Sequence, residues 1–210
     1  TAKVLSRYLG GLVIRTFGHE IVEEIAEHAT IPVVNGLTDL LHPCQIYSDA
    51  LTIAEKLGDP CQPFESLAGK KLAFLGDTSC NMANSWILGG AMLGMEIALG
   101  GPIDHQPGPE VNALLEQESL ADTSFFTPDA SEAVADADVV YTDVWVSMGC
   151  EDEEQSRLAK MAPYAVTSDL MAKAKPDALF MHCMPTHPGQ EVSQGVLDSP
   201  QSVIFDQAEN

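Results

Sequence analysis

Two short apolar runs, LVIRTF at residues 12–17 and IPVVN at residues 31–35, enclose a stretch with the spacing of a helix. Ile21, Ile25 and Ala29 recur every four residues between them, which places their side chains on one helical face. A strand, a helix and a second strand in this order are typical of a right-handed crossover between parallel strands. The opening of the chain therefore predicts an α/β fold with a parallel sheet.

The same alternation continues to the end of the chain. Apolar runs predict further strands at residues 70–75, 97–99, 124–126, 139–145, 178–182 and 202–205. Helical patterns occupy most of the intervals, beginning at about residue 43 and at about residue 81, and a turn-rich stretch at 58–63 could be a domain boundary. The later part thus predicts a doubly wound sheet, in which ligands gather at the carboxyl ends of the strands.

Acidic residues dominate the charge: 31 Asp and Glu stand against 10 Lys and Arg, for a formal net charge of −21. Because 45% of the residues are hydrophobic, a disordered acidic chain is excluded. Binding to nucleic acid or to an anionic membrane through a broad basic face is also disfavoured. Two explanations of the acidity stay open, namely an ordinary acidic cytoplasmic protein or adaptation to high salt.

No apolar run approaches the roughly 18 residues of a membrane span, and no signal peptide opens the chain. The five cysteines, at positions 44, 61, 80, 150 and 183, form no CxxC pair and no cluster with zinc spacing. We therefore expect a reduced cytoplasmic protein with no membrane partner, no metal and no cofactor.

Polar groups near predicted element ends are the candidates for chemistry. HPCQ at residues 42–45 starts a helix, where exposed N–H groups favour anions, although taken alone the motif is explained better by a capping turn with a surface histidine. Arg15 ends an apolar strand and is one of three arginines, and a simple ion pair is its alternative role.

Two further clusters follow predicted strands of the later part. The stretch after residue 75 lacks GxGxxG, which weakens dinucleotide binding and leaves ordinary helix capping open. DVWVSMG at 143–149 and HCMP at 182–185 each follow a buried strand, so Asp143 and Cys183 could face one crevice. Spacing alone does not establish that they do.

Taken together, these motifs resemble those of ornithine carbamoyltransferases, within the aspartate/ornithine carbamoyltransferase family. DVWVSMG and HCMP resemble the two signatures of the family, HPCQ its HPxQ, and FDQAEN at 205–210 its tail before a closing helix. NGLTD at 35–39 and the segment from Gly76 to Met82 match in order, so the resemblance covers essentially all of the chain.

The resemblance implies a role for each matching residue. Arg15, His42 and Gln45 would bind carbamoyl phosphate, together with Cys183 and the Met184 backbone. Asn81, Asp143, Ser147 and Met148 would bind ornithine. Catalysis would rest on Cys183, Asp143, Arg15 and His42, with Arg15 and His42 polarising the carbamoyl carbonyl and with Asp143 and Cys183 placing or deprotonating the attacking amine.

The resemblance also implies how the chain is organised. Residues 1–41 would be the remnant of a carbamoyl phosphate-binding domain, 42–65 a linking helix and turn, and 66–210 an ornithine-binding domain without its closing helix. We expect a fragment lacking both termini and inactive alone, because the family's Ser-Thr-Arg-Thr phosphate loop is absent and the arginine that follows its AEN is not reached.

The substrates would be carbamoyl phosphate and L-ornithine, the products L-citrulline and phosphate, and the assembly a homotrimer or a multiple of it. Two alternatives stay open at this point. One is a carbamoyltransferase for another amine, such as N-acetylornithine or putrescine. The other is a non-catalytic module that binds an amino acid.

Overall fold

A computed structural model describes residues 1–146 and 154–210 of the chain. Its first part is a two-stranded parallel sheet, formed by β1 (Leu12–Arg15) and β2 (Val33–Leu37). Helix α2 (His19–His28) joins the two strands, and a short helix α1 (Ala2–Leu5) precedes them. The strand–helix–strand unit predicted from the opening residues is confirmed.

The second part is a five-stranded parallel sheet with the order β5-β4-β3-β6-β7. Its strands are β3 (Lys71–Leu75), β4 (Glu96–Gly100), β5 (Ser124–Thr127), β6 (Val139–Thr142) and β7 (Leu179–His182). Strand β3 pairs in register with β4 on one side and with β6 on the other. The chain therefore reverses its winding direction between β3 and β6, which makes that crevice the topological switch point.

Helix α3 (Pro43–Leu57) connects the two sheets, and proline at its first position needs no backbone N–H there. The second sheet carries the other described helices. They are α4 (Asn81–Leu93), α5 (Pro109–Gln117), α6 (Ala130–Val134), α7 (Glu154–Met161), α8 (Ser168–Met171), α9 (Gln194–Leu197) and α10 (Ile204–Glu209).

Both faces of the five-stranded sheet are buried by their own apolar cluster. One cluster joins α3 and α4 to the sheet through residues such as Ile53, Trp86 and Phe74, none of which is exposed. The other packs α6 and the later helices against the opposite face, around Leu75 and Phe180. Coverage on both faces explains the nearly continuous apolar runs of these strands and confirms the doubly wound fold.

The prediction of a last strand at residues 202–205 is wrong. Ser202 makes an isolated bridge to Phe180 of β7, and the chain then turns into α10. A four-residue apolar run does not distinguish a strand from the start of a buried helix. Here Val203 and Ile204 are buried at that turn, which accounts for their apolar character without a strand.

No helix that the structure describes combines the length and the apolar character that a membrane-spanning helix needs.

Candidate functional site

Three strands of the second sheet end next to one another with polar residues. Gly76 and Asp77 follow β3, Asp143 follows β6, and Cys183 follows β7. Because β3, β6 and β7 are adjacent parallel strands, their carboxyl ends share one edge of the sheet. This edge includes the switch point, where the fold itself predicts a ligand site.

Asp143 and Cys183 are in direct contact at this edge. The thiol of Cys183 donates a hydrogen bond to Oδ1 of Asp143 over 3.1 Å, and the same oxygen accepts from the Val144 N–H at 2.7 Å. Burial, followed by the charge of Asp143, raises the pKa of the Cys183 thiol well above its usual value. Cys183 is therefore a neutral hydrogen-bond donor, which disfavours a role as a thiolate nucleophile.

His182 is buried at the end of β7, and of its two ring nitrogens only Nδ1 has a hydrogen-bond partner among the described residues. Its Nδ1 accepts a hydrogen bond from the Met184 N–H at 2.9 Å, so the ring proton of neutral His182 lies on Nε2. Nε2 is 3.4 Å from Oε1 of Glu191, and neither side chain has any exposed surface. Oε1 of Glu191 accepts from the His187 N–H, which fixes the loop that follows the strand.

Met184 lies beside this histidine with a backbone angle φ of +57°, in the left-handed region that side chains disfavour. Its side chain is 40% exposed, and its N–H is taken up by His182. The N–H of Met184 is therefore engaged within the protein, while part of its side chain is in contact with solvent.

His42 connects the two parts of the chain electrostatically. Burial lowers its pKa, the cation of Arg15 lowers it further, and the carboxylate of Asp143 acts in the opposite direction. Arg15 of the first sheet and Asp143 therefore both lie close enough to His42 for their charges to act on its imidazole. The Nδ1 of His42 is buried and has no hydrogen-bond partner among the described residues.

Asn81, at the start of α4, contacts the first part of the chain. Its Nδ2 donates to the carbonyl oxygen of Thr38 at 2.8 Å. One turn later Ser85 accepts from the His42 N–H at 2.7 Å and donates to the Asn81 carbonyl. Hydrogen bonds between the start of α4 and residues 38–42 thus hold both Asn81 and His42.

Gln45 lies in the first turn of α3 and is held by a buried carboxyl group. Its Nε2 donates to Oδ1 of Asp49 at 2.8 Å. Ser147 and Met148, the other residues expected at the site, lie outside the described residues.

The turn after β3 anchors the loop that carries Asp143. Gly76 has a φ of +109°, and a Cβ there would lie 2.7 Å from the indole nitrogen of Trp145. Arg157 of α7 forms an ion pair with Asp77 and donates from Nε to the Trp145 carbonyl at 2.9 Å. Glycine is therefore needed for the approach of Trp145, and this turn supports the site structurally.

A cavity of about 220 Å³ opens at the site and is lined by Gln45, Cys183 and Met184, among others. A larger cavity, of about 460 Å³, lies elsewhere, between residues 128–131 and 162–173. The larger one contains none of the predicted site residues, so size alone does not locate the chemistry here.

Asp143, His182 and Cys183 each offer one potential metal-ligand atom within 4.8 Å of the others. In the structure these atoms serve other partners: the thiol is protonated and bonded to Asp143, and Nδ1 of His182 accepts from the backbone. A metal would need the thiolate and a free imidazole lone pair. The absence of a metal stays a prediction.

Several residues at the site were missed by the sequence reasoning. Asp49, Glu191 and Arg157 were given no role, although each holds a predicted site residue or its loop in place. Asp49 carries a signal that could have found it, because a carboxylate four residues after Gln45 interrupts the apolar face of α3. Glu191 and Arg157 act on residues distant in sequence, and spacing does not reveal such contacts.

Comparison with known proteins assigns both parts of the chain. A family model described as "Aspartate/ornithine carbamoyltransferase, Asp/Orn binding domain" matches residues 68–210. A second, "Aspartate/ornithine carbamoyltransferase, carbamoyl-P binding domain", matches residues 1–55.

Curated relatives and solved structures agree with this assignment. The chain is 46% identical over its whole length to an ornithine carbamoyltransferase of Methanoculleus marisnigri and 50% identical to one of Syntrophus aciditrophicus. It spans 65% and 67% of the lengths of those two relatives. The structure of ornithine carbamoyltransferase from Pyrococcus furiosus matches 99% of the chain, at 43% identity and a TM-score of 0.87, over 64% of its own length.

Proposed function

The chain belongs to the aspartate/ornithine carbamoyltransferase family, and on that premise we propose that it is part of an ornithine carbamoyltransferase. The reaction transfers the carbamoyl group of carbamoyl phosphate to the δ-amine of L-ornithine, giving L-citrulline and phosphate. The observation that carries this proposal is the contact between Asp143 and Cys183, with His42 close enough to feel the charges of both Asp143 and Arg15.

Asp143 and Cys183 serve the attacking amine in this proposal. The δ-amine is a cation in water and must lose a proton before its lone pair can attack the carbamoyl carbon. A carboxylate that already accepts from a neutral thiol attracts the ammonium group and can accept its proton. The amine itself is the nucleophile, so no covalent bond to Cys183 is required.

Arg15, His42 and Gln45 serve carbamoyl phosphate. The guanidinium of Arg15 offers charge-assisted hydrogen bonds to the anion, in a chain that is otherwise strongly acidic. His42, whose pKa is lowered, is neutral near pH 7 and can donate from one ring nitrogen to the developing oxyanion. The Met184 backbone lies beside the carbamoyl group.

Asn81, Asp143, Ser147 and Met148 bind ornithine in this proposal. The assignment of Ser147 and Met148 rests on the SMG sequence that follows the strand. Asn81 is supported by its place at the start of α4, beside the end of β3.

The proposed organisation assigns residues 1–41 to the carbamoyl phosphate side, 42–65 to the linking helix and turn, and 66–210 to the ornithine side. We further propose that the protein acts in the cytoplasm, as a homotrimer or a multiple of it. Turnover by residues 1–210 alone is not expected, since this sequence contains no Ser-Thr-Arg-Thr phosphate loop.

The test is citrulline formation by the protein expressed from the complete gene. We expect saturable turnover with ornithine and at least 100-fold lower kcat/KM with N-acetylornithine or putrescine, because neither presents both α-charged groups. A preference for one of the other amines would reassign the substrate. Binding of ornithine without product from any amine would identify a non-catalytic module.

A further inference from the structure

Asp49 is a carboxyl group with no exposed surface, in the middle of α3. It accepts three side-chain hydrogen bonds: from Gln45 Nε2 at 2.8 Å, from Gln207 Nε2 at 2.8 Å and from the Tyr141 hydroxyl at 2.7 Å. Removing a carboxylate from water costs free energy. A carboxylate buried in an apolar core therefore points to a role beyond packing.

An ionised carboxylate only accepts hydrogen bonds, and this decides which way the Gln45 amide faces. Gln45 must present its NH₂ group to Asp49, which leaves its carbonyl Oε1 as the other polar atom. That oxygen accepts no hydrogen bond from any residue that the structure describes. Gln45 also lines the cavity of about 220 Å³ beside Cys183 and Met184, and its Oε1 is the side-chain polar atom that Asp49 does not engage.

The same network reaches the end of β7. Gln207 donates to Asp49 and, at 3.1 Å, to the Tyr141 hydroxyl, while its Oε1 accepts from the His182 N–H at 2.8 Å. Asp49 is therefore linked through one side chain to the backbone that precedes Cys183. The buried carboxyl group of Asp49 therefore connects the linking helix, through Gln207, to the backbone that leads into the loop after β7.

We propose that Asp49 is a positioning residue for carbamoyl phosphate, which acts by turning the carbonyl oxygen of Gln45 toward the carbamoyl NH₂ group. This inference rests on the proposed function, since it takes carbamoyl phosphate as the ligand of the cavity. An NH₂ group is a donor, so it needs an acceptor at that place and is repelled by a second NH₂.

The orientation depends on the ionisation of Asp49. Burial raises the pKa of Asp49 to about 6, against the hydrogen bonds from Tyr141, Gln45 and Gln207, which lower it. Tyr141, Asp143 and Cys183 are the titratable groups that interact with Asp49, and α10 contributes the neutral Gln207. Once protonated, Asp49 can donate to Oε1 of Gln45, and the amide can then turn its NH₂ group to the ligand.

The experiment measures binding of carbamoyl phosphate alone, by titration calorimetry between pH 5 and 7.5, to the protein expressed from the complete gene. Asp49→Asn keeps the shape and an acceptor for Gln45 but removes the titration. Ile53→Val, on the same helix and equally buried, is the matched control. The titration of carbamoyl phosphate itself cancels when two variants are compared at one pH.

We expect the ratio of the wild-type Kd to the Asp49→Asn Kd to rise about tenfold from pH 7.5 to pH 5, because a group with a pKa near 6 is about one-tenth ionised at pH 5. Ile53→Val should follow the wild type at every pH. In turnover assays, Asp49→Asn should change the KM for carbamoyl phosphate more than the KM for the amine.

A ratio that stays constant within twofold overturns the role of Asp49, even if citrulline is formed normally. Absence of carbamoyl phosphate binding at every pH overturns it as well. A pH-dependent ratio in a protein that makes no citrulline supports Asp49 while refuting the proposed amine substrate, so the two failures are distinguishable.

Discussion

Residues 1–41 and residues 66–210 are built from the same unit, parallel strands joined by helices, but they bury very different amounts of apolar surface. In the first region the buried apolar residues are Ala2 and Val22, while Val13 and Phe17 are 74% and 69% exposed. In the second region β6 and β7 are buried along their whole length.

The difference shows that the sequence pattern that specifies helices and strands does not by itself specify how deeply their side chains are buried. The alternation of apolar runs specifies which residues form strands and which form helices in both regions. Burial depends on how many strands stand side by side and on whether helices cover both faces. A two-stranded sheet with one crossover helix has too few neighbours to remove its side chains from water.

The largest effect should come from the chemistry of the second region. Asp143→Asn keeps the size of the side chain but removes the charge that attracts and deprotonates the amine. We expect kcat to fall 10²- to 10⁴-fold in the protein expressed from the complete gene, as for loss of a general base. Glu24→Gln, an exposed change on α2 of the first region, should leave kcat unchanged. Equal activity of Asp143→Asn and wild type would refute the catalytic assignment.

The packing contrast can be tested with one residue type in both regions. Phe74→Ala, at a site with no exposure, should lower the free energy of unfolding by about 3–5 kcal/mol in residues 1–210. Phe17→Ala should change it by less than about 0.5 kcal/mol, because Phe17 is already in water. Urea denaturation measures both. Similar losses in the free energy of unfolding for Phe74→Ala and Phe17→Ala would contradict the difference in burial between the two regions.

A smaller effect is expected on the pH dependence of the free energy of unfolding. It arises at the junction between the two regions, where Asp49 is buried. Its pKa is raised to about 6 in the folded protein from 3.8, so the folded state binds more protons than the unfolded state between these values. The contribution of Asp49 to the free energy of unfolding must therefore fall as the pH rises from about 4 to about 6.

Asp49→Asn should lack this loss and gain about 3 kcal/mol over wild type as the pH rises through that window. Urea denaturation at several pH values measures the difference, and Ile53→Val, which has no titratable group, should run parallel to the wild type. A difference between Asp49→Asn and wild type that does not change with pH would mean that Asp49 titrates alike in both states.

Most of the fold could be predicted from the sequence because its strands are short apolar runs separated by helical spacing. The strand prediction for residues 202–205 was wrong because an apolar run of four residues fits a strand and a buried helix start equally. Its burial against β7 arises from a contact that is distant in sequence. For the site, HPCQ, DVWVSMG and HCMP could be found because each lies at the end of an element and resembles a family motif.

By itself, the sequence determined the element types, the parallel sheets, the acidic surface and the motifs that place the chain beside the carbamoyltransferases. The tertiary structure alone decided which polar groups meet. Cys183 contacts Asp143 across 40 positions, and Gln207 contacts Asp49 across 158. The physical reason is that secondary structure follows from neighbours within a few residues. Hydrogen bonds and pKa values depend on groups that only the packing of the sheet and of α3 and α10 brings together.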